Sequence, residues 1–232
     1  MRNKLWMEGL ATFFLCSASI LATTPISVAA ILCALIYMGG SVSGAHYNPA
    51  VTLSVLLRGR MGRRTALAYV GVQLTAALIA ALVIGLLTGH DIEKTKDGVA
   101  ALGDSVFAGA LATSVVEFLG TFLMAFVILM VATSRITAGN SYFGIAIAMT
   151  VLGFSGSFGE FNPAINPAVA IATALHGLAS SLFTDGEGFA AFAKEAILAA
   201  KDAPRVALDI FCELLGGAAA AVTFRVLFPE DR

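Results

Sequence analysis

Three copies of one tripeptide hold most of the chemistry this chain can offer. Asn48-Pro49-Ala50 lies in SGAHYNPAVTL (43–53), and GEFNPAINPAV (159–169) carries Asn162-Pro163-Ala164 and Asn166-Pro167-Ala168 in seven residues. Asparagine suits an N-cap and proline suits the first helical position, where its missing N–H costs nothing. Each motif therefore reads as the start of a helix. The apolar run after Pro49, Ala50–Leu57, is too short to cross a bilayer. A helix beginning inside a membrane exposes N–H groups, roughly half a positive charge and an asparagine amide. Such a site would receive water or a hydroxyl and repel cations and protons.

Which asparagine starts the second helix can be argued both ways. If Asn162 were the cap, Pro167 would fall inside the helix at a cost of ~3 kcal/mol. Asn166 avoids that, and NPAVTLSVLLRG (48–59) then matches NPAVAIATALHG (166–177) at six of twelve positions. The upstream residues favour Asn162, since Ser157–Asn162 parallels Ser43–Asn48. The register is set on Asn166, with Asn162, Pro163 and Ala164 as the alternate.

The elements that must position these motifs are membrane crossings. The chain has 232 residues, 58% hydrophobic and only 12% charged; soluble domains carry about twice that charge. Leu5–Ala22, Ala66–Leu87 and Phe107–Ala132 are long enough to span, and Ile26–Met38, Phe143–Phe154 and Val206–Phe228 supply three more candidates. Glu8 sits where the apolar core of a secretory signal should begin, so the first segment reads as a crossing. A net charge of -1 argues against nucleic acid. Cys16, Cys33 and Cys212 lie in apolar segments with no metal spacing. No nucleophile–base set or nucleotide loop is present, so neither an enzyme nor a cofactor or metal is expected.

The chain repeats itself. Glu8–Phe13 and Glu117–Phe122 share the pattern E-x-L-x-T-F, and residues 70–83 resemble 210–223 with Gln73 opposite Glu213. Each half has three crossings, so the halves run inverted in the membrane. One channel domain is expected over 1–232, with repeat 1 at 1–90 and repeat 2 at 107–232. Nine basic residues, Arg2, Lys4, Arg58, Arg60, Arg63, Arg64, Arg135, Arg225 and Arg232, fall on one side of this topology. Five fall on the other: Lys94, Lys96, Lys194, Lys201 and Arg205. The bias puts the termini in the cytoplasm, with a plasma or bacterial inner membrane as the host. The second half also carries an insertion: Gly177 to Glu213 spans 36 residues where Gly59 to Gln73 spans 14. Its apolar and charged residues alternate at helical spacing, predicting an inserted amphipathic helix about 186–203, on the membrane surface or over the pore mouth.

These motifs resemble the aquaporin, or major intrinsic protein, family over nearly the whole chain. The resemblance implies an all-α membrane fold of six transmembrane helices and two re-entrant half-helices in an inverted repeat, assembled as a homotetramer in the lipid bilayer. It implies passage of water and small uncharged solutes past Asn48 and Asn166. It also makes Glu8, Glu117 and His46 structural braces of the re-entrant loops rather than proton carriers. The outer filter departs from the family. The position after the second motif is Val169, where the family usually has arginine, and its partners fall at Val28 and near Thr150 or Val151. Such a filter should select less by size. A glycerol or small-solute facilitator stands as an alternative, and an ion-coupled transporter with broken helices as a rival of another class.

Overall fold

The computed structural model describes residues 1–89, 106–184 and 188–231. His90, Lys94, Lys96 and Arg232, together with the first two residues of the expected 186–203 helix, lie outside them. Eight α-helices occur in chain order among the described residues: α1 (Arg2–Leu21), α2 (Pro25–Ser43), α3 (Pro49–Leu57), α4 (Arg63–Thr88), α5 (Val106–Ile128), α6 (Phe143–Ser157), α7 (Pro167–Ser181) and α8 (Gly188–Leu227). A π-helical turn, Leu129–Thr133, extends α5, and a 3₁₀ turn, Gly159–Phe161, precedes the second motif.

Five of these helices, in α1, α2, α4, α5 and α8, are long and apolar enough to span a bilayer, and α6 is a shorter apolar helix. The outside of the bundle is greasy: Trp6, Leu67, Leu87, Leu111, Phe211 and Val226 are all exposed. Its inside is rich in small residues, with Ala11, Ala77, Ala80, Ala125, Ala168, Ala172, Ala220 and Ala221 fully enclosed or nearly so. Small residues let helix backbones approach closely where lipid supplies no hydrophobic drive to pack. The chain is a multi-pass integral membrane protein.

The pairing of helices repeats across the halves. α1 lies along α4 as α5 lies along α8, and α1 packs on α2 as α5 packs on α6. The short helices cross over: α3 packs on α8 of the other half, and α7 on α4. Glycine marks one of these crossings in each half. A Cβ on Gly217 of α8 would meet the Ala50 carbonyl oxygen at 2.5 Å, and one on Gly85 of α4 would meet the Ala179 backbone at 2.8 Å.

One expected element is continuous with its neighbour. The insertion is not a separate helix but the first part of α8, which runs unbroken for 40 residues, about 60 Å at 1.5 Å per residue. The sequence between Ala199 and Ala207 offers no glycine or asparagine to end a helix. Pro204 alone interrupts the pattern. It is exposed, so water can satisfy the carbonyl its ring leaves without an N–H partner. The extension lies against α7, where Glu195 Oε2 would be 2.9 Å from a Cβ at Gly177.

Candidate functional site

Asn48 is the N-cap of α3 and Asn166 is the N-cap of α7; in each, proline takes the first helical position. The Asn48 side-chain oxygen accepts the Ala50 N–H at 2.8 Å, and that of Asn166 accepts the Ala168 N–H at 3.0 Å. Asn162 lies instead at the end of the 3₁₀ turn, with φ 46°. Pro163 and Ala164 lead from it into the loop, and Ala164 donates its N–H to Glu117.

The two caps are tied to each other's loops. Asn48 Nδ2 donates to the Ile165 carbonyl at 3.0 Å, and Asn166 Nδ2 donates to the Tyr47 carbonyl at 3.0 Å. Each accepting residue immediately precedes the opposite asparagine. Both hold left-handed backbone, Tyr47 at φ 49° and Ile165 at φ 44°, a conformation that bulky and β-branched residues rarely adopt. The turned backbone aims each carbonyl across the junction. An amide has two N–H donors; one is spent on this cross-tie and the other remains for a guest.

Buried carboxyl groups hold the loops in this shape. Glu8, fully enclosed, accepts the N–H groups of His46 (3.0 Å) and Tyr47 (2.8 Å), the Ser43 hydroxyl (2.6 Å) and Gln73 Nε2 (2.9 Å). In the second half, Glu117 accepts Ala164 N–H and Ile165 N–H, each at 2.7 Å, and Glu213 accepts Asn166 N–H at 2.6 Å. His46 is buried, with Nδ1 3.1 Å from the Thr52 hydroxyl and its ring edge-on to Tyr69. Gln73 and Glu213 were not among the expected site residues. Their alignment opposite each other in the repeat was the available signal.

A narrow cavity of ≈ 40 Å³ runs past the caps. Asn48 and Asn166 line it, and so do Val28, Val151 and Val169, with Ala164, Ile165 and His46. At ~10–15 Å³ per water, it has room for about three. The rest of the wall is mostly aliphatic, including Leu32, Ile36, Ile128 and Ile147, with Ser19 and Met124 also on it. A wider vestibule of ≈ 490 Å³ opens on the side of Lys4, Arg60 and Tyr69, and His46 borders both spaces.

Beside this vestibule, Asp231 ties the chain's last described turn to three arginines. Its carboxylate lies 3.1 Å from Arg58 Nη2 and 2.9 Å from Arg60 Nη2, and 3.8 Å from Arg135 Nε. It also accepts the Ser134 hydroxyl (2.7 Å) and the Arg135 N–H (2.9 Å). The Ser134 hydroxyl, the Arg135 N–H and the Arg58 charge hold the Asp231 carboxyl at about 2, below its ordinary value of 3.8. Arg58 is itself buried and stacks on the Phe224 ring at 4.2 Å.

Comparison with known proteins identifies the family and the fold. Residues 6–185 match the family model described as major intrinsic protein. The chain is 36% identical over 191 residues to aquaporin NIP1-4 of Oryza sativa subsp. japonica, covering 75% of this chain and 67% of that protein. It is 34% identical over 170 residues to aquaporin NIP1-2 of Arabidopsis thaliana, covering 65% of this chain and 56% of that one. The fold matches the X-ray structure of the aquaglyceroporin from Plasmodium falciparum with a TM-score of 0.69, across 98% of this chain and 97% of the other, at 16% identity. The chain belongs to the major intrinsic protein family, a family of membrane channels rather than enzymes.

Proposed function

We propose that the protein is a passive channel for water and small uncharged solutes, with 1–232 as a single channel domain. The carrying observation is the pair of asparagine caps facing one narrow cavity from two helix starts. Each cap brings a free amide donor and roughly half a positive charge from its helix. Water in the cavity trades some of its hydrogen bonds for these donors. A cation meets two positive helix ends and a mostly aliphatic wall, and finds no carboxylate among the residues lining the cavity. Glu8 and Glu117 act as braces, because their oxygens are occupied by loop N–H groups rather than turned to the pore.

Val28, Val151 and Val169 form the outer filter in this reading. With no arginine among them, the filter is apolar and free of fixed charge, which supports entry of a solute with its own carbon skeleton, such as glycerol, beside water. The cytoplasmic side is the side of Arg58, Arg60 and Arg135, and a homotetramer is the assembly.

Stopped-flow light scattering on proteoliposomes tests this, with an impermeant osmolyte and then with glycerol, for the native chain and Val169→Arg. The reading expects fast water flow and glycerol entry, with glycerol reduced at least tenfold by the arginine, equivalent to ~1.4 kcal/mol of added barrier. Flow no faster than empty liposomes from correctly folded protein would refute an open channel. Uptake against a gradient that collapses with the proton gradient would favour a coupled transporter instead.

A further inference from the structure

The two halves brace their re-entrant loops with different chemistry. In the first half a single carboxylate, Glu8, is opposed by an amide: Gln73 Nε2 donates to Glu8 Oε2 at 2.9 Å. In the second half the position of Gln73 is taken by Glu213. Glu117 and Glu213 are 3% and 0% exposed, and they accept consecutive backbone N–H groups, Ile165 to Glu117 at 2.7 Å and Asn166 to Glu213 at 2.6 Å. The pair holds three loop N–H groups between them, those of Ala164, Ile165 and Asn166. Glu213 Oε2 receives none of these and has no hydrogen-bond partner although it is fully enclosed.

Two ionised carboxylates cannot share an enclosed site without a cation. Among the described residues, no lysine, arginine or histidine pairs with either group. α5 presents only Glu117. α8 adds Cys212 and, one turn from Glu213, Asp209, which is bonded to the Ser114 hydroxyl at 2.6 Å and lies 3.7 Å from Arg205. α3 has no titratable side chain, and the one histidine of α7, His176, is engaged with Thr88. No group of three or more metal-ligating side chains occurs among the described residues. A proton on Glu213 Oε2 resolves the site. It turns an unpartnered acceptor into a donor toward Glu117 and reproduces the bond that Gln73 makes to Glu8.

We propose that Glu117 and Glu213 hold one proton between them, a buried proton-binding site in the second half that the first half replaces with the Gln73 amide. Proton occupancy is thereby coupled to the loop that carries Asn166. As pH rises and the proton leaves to water, two like charges face each other and push apart the groups that hold Ala164, Ile165 and Asn166. Only the second loop acquires this sensitivity, because the first brace contains a single acid.

Infrared difference spectroscopy of the full-length protein in liposomes tests the site without any flux measurement, so its failure is distinct from failure of the channel reading. The native protein should show the carbonyl band of a protonated carboxylic acid at neutral pH, and lose it on alkaline titration. Glu213→Gln, which copies the first half, should remove the whole band at neutral pH. A native spectrum without the band would overturn the proposal, and that result stands even if the variant does not fold. A band unchanged in Glu213→Gln, or removed only by Asp209→Asn, would also overturn it by assigning the proton elsewhere.

Discussion

Removing the carboxylate of Glu8 should destabilise the protein by an amount that can be bounded from its four partners. Glu8→Ala leaves the His46 and Tyr47 N–H groups without acceptors in an enclosed site. Neither can rotate away, because both belong to backbone held between α2 and α3. At about 1–3 kcal/mol for each orphaned group, these two alone cost about 2–6 kcal/mol. The Ser43 hydroxyl has a second acceptor in the Gly39 carbonyl at 3.4 Å, and Gln73 has one in the Thr52 hydroxyl at 3.1 Å, so their loss adds less. Glu8→Gln keeps one acceptor oxygen but turns an amide NH₂ toward a donor, so about half the cost remains, ~1–3 kcal/mol. A folded domain has only about 5–15 kcal/mol to lose. The assay is denaturant unfolding in mixed micelles, with water permeability per folded molecule measured in parallel. An alanine variant within ~1 kcal/mol of the native chain, below the low end of one orphaned pair, would refute the brace. So would a glutamine variant as damaged as alanine.

Two further outcomes follow from packing and charge. Gly217→Ala should lower stability, because its Cβ would meet the Ala50 carbonyl oxygen at 2.5 Å and backbone cannot swing aside. Gly71→Ala, on an exposed stretch of α4 with nothing within 4 Å, should instead raise it by about 0.5–1 kcal/mol through helix propensity; thermal melts of both variants check the opposite signs. Asp231 has a depressed pKa, so its contribution is complete above its ordinary value of 3.8 and is lost as pH falls through about 2. The melting difference between the native chain and Asp231→Asn should therefore be flat from weakly acidic to neutral pH and vanish only in strong acid. A difference that fades near neutrality would contradict the Ser134 and arginine contacts.

Much of the channel could be read from residue order. The apolar segments located the six crossings, since bilayer thickness sets a minimum length that composition reveals directly. The paired E-x-L-x-T-F and Asn-Pro-Ala motifs exposed the inverted repeat, and Pro167 favoured Asn166 as a cap because proline is costly in a helix interior. The insertion was expected as an amphipathic helix about 186–203, and its described part is the start of α8. Its amphipathic period was real, but continuity through Pro204 depends on solvent reaching the backbone there, which local pattern does not report.

What only the tertiary structure decided lies in contacts between the halves. The Asn48 amide meets the Ile165 carbonyl across 117 residues of chain, and the Asn166 amide meets the Tyr47 carbonyl across 119. Such bonds require the two loops to meet with left-handed backbone at Tyr47 and Ile165, conformations that neither side chain favours by itself. Likewise, residue order alone placed Gln73 opposite Glu213 without their partners. Their different surroundings emerge only when α4 closes on α1 and α8 on α5. Sequence therefore determined which segments cross and which residues start helices, because hydrophobicity and capping are local. The burial that forces a carboxyl to find a donor is not local, so the braces and their partners were settled by the fold.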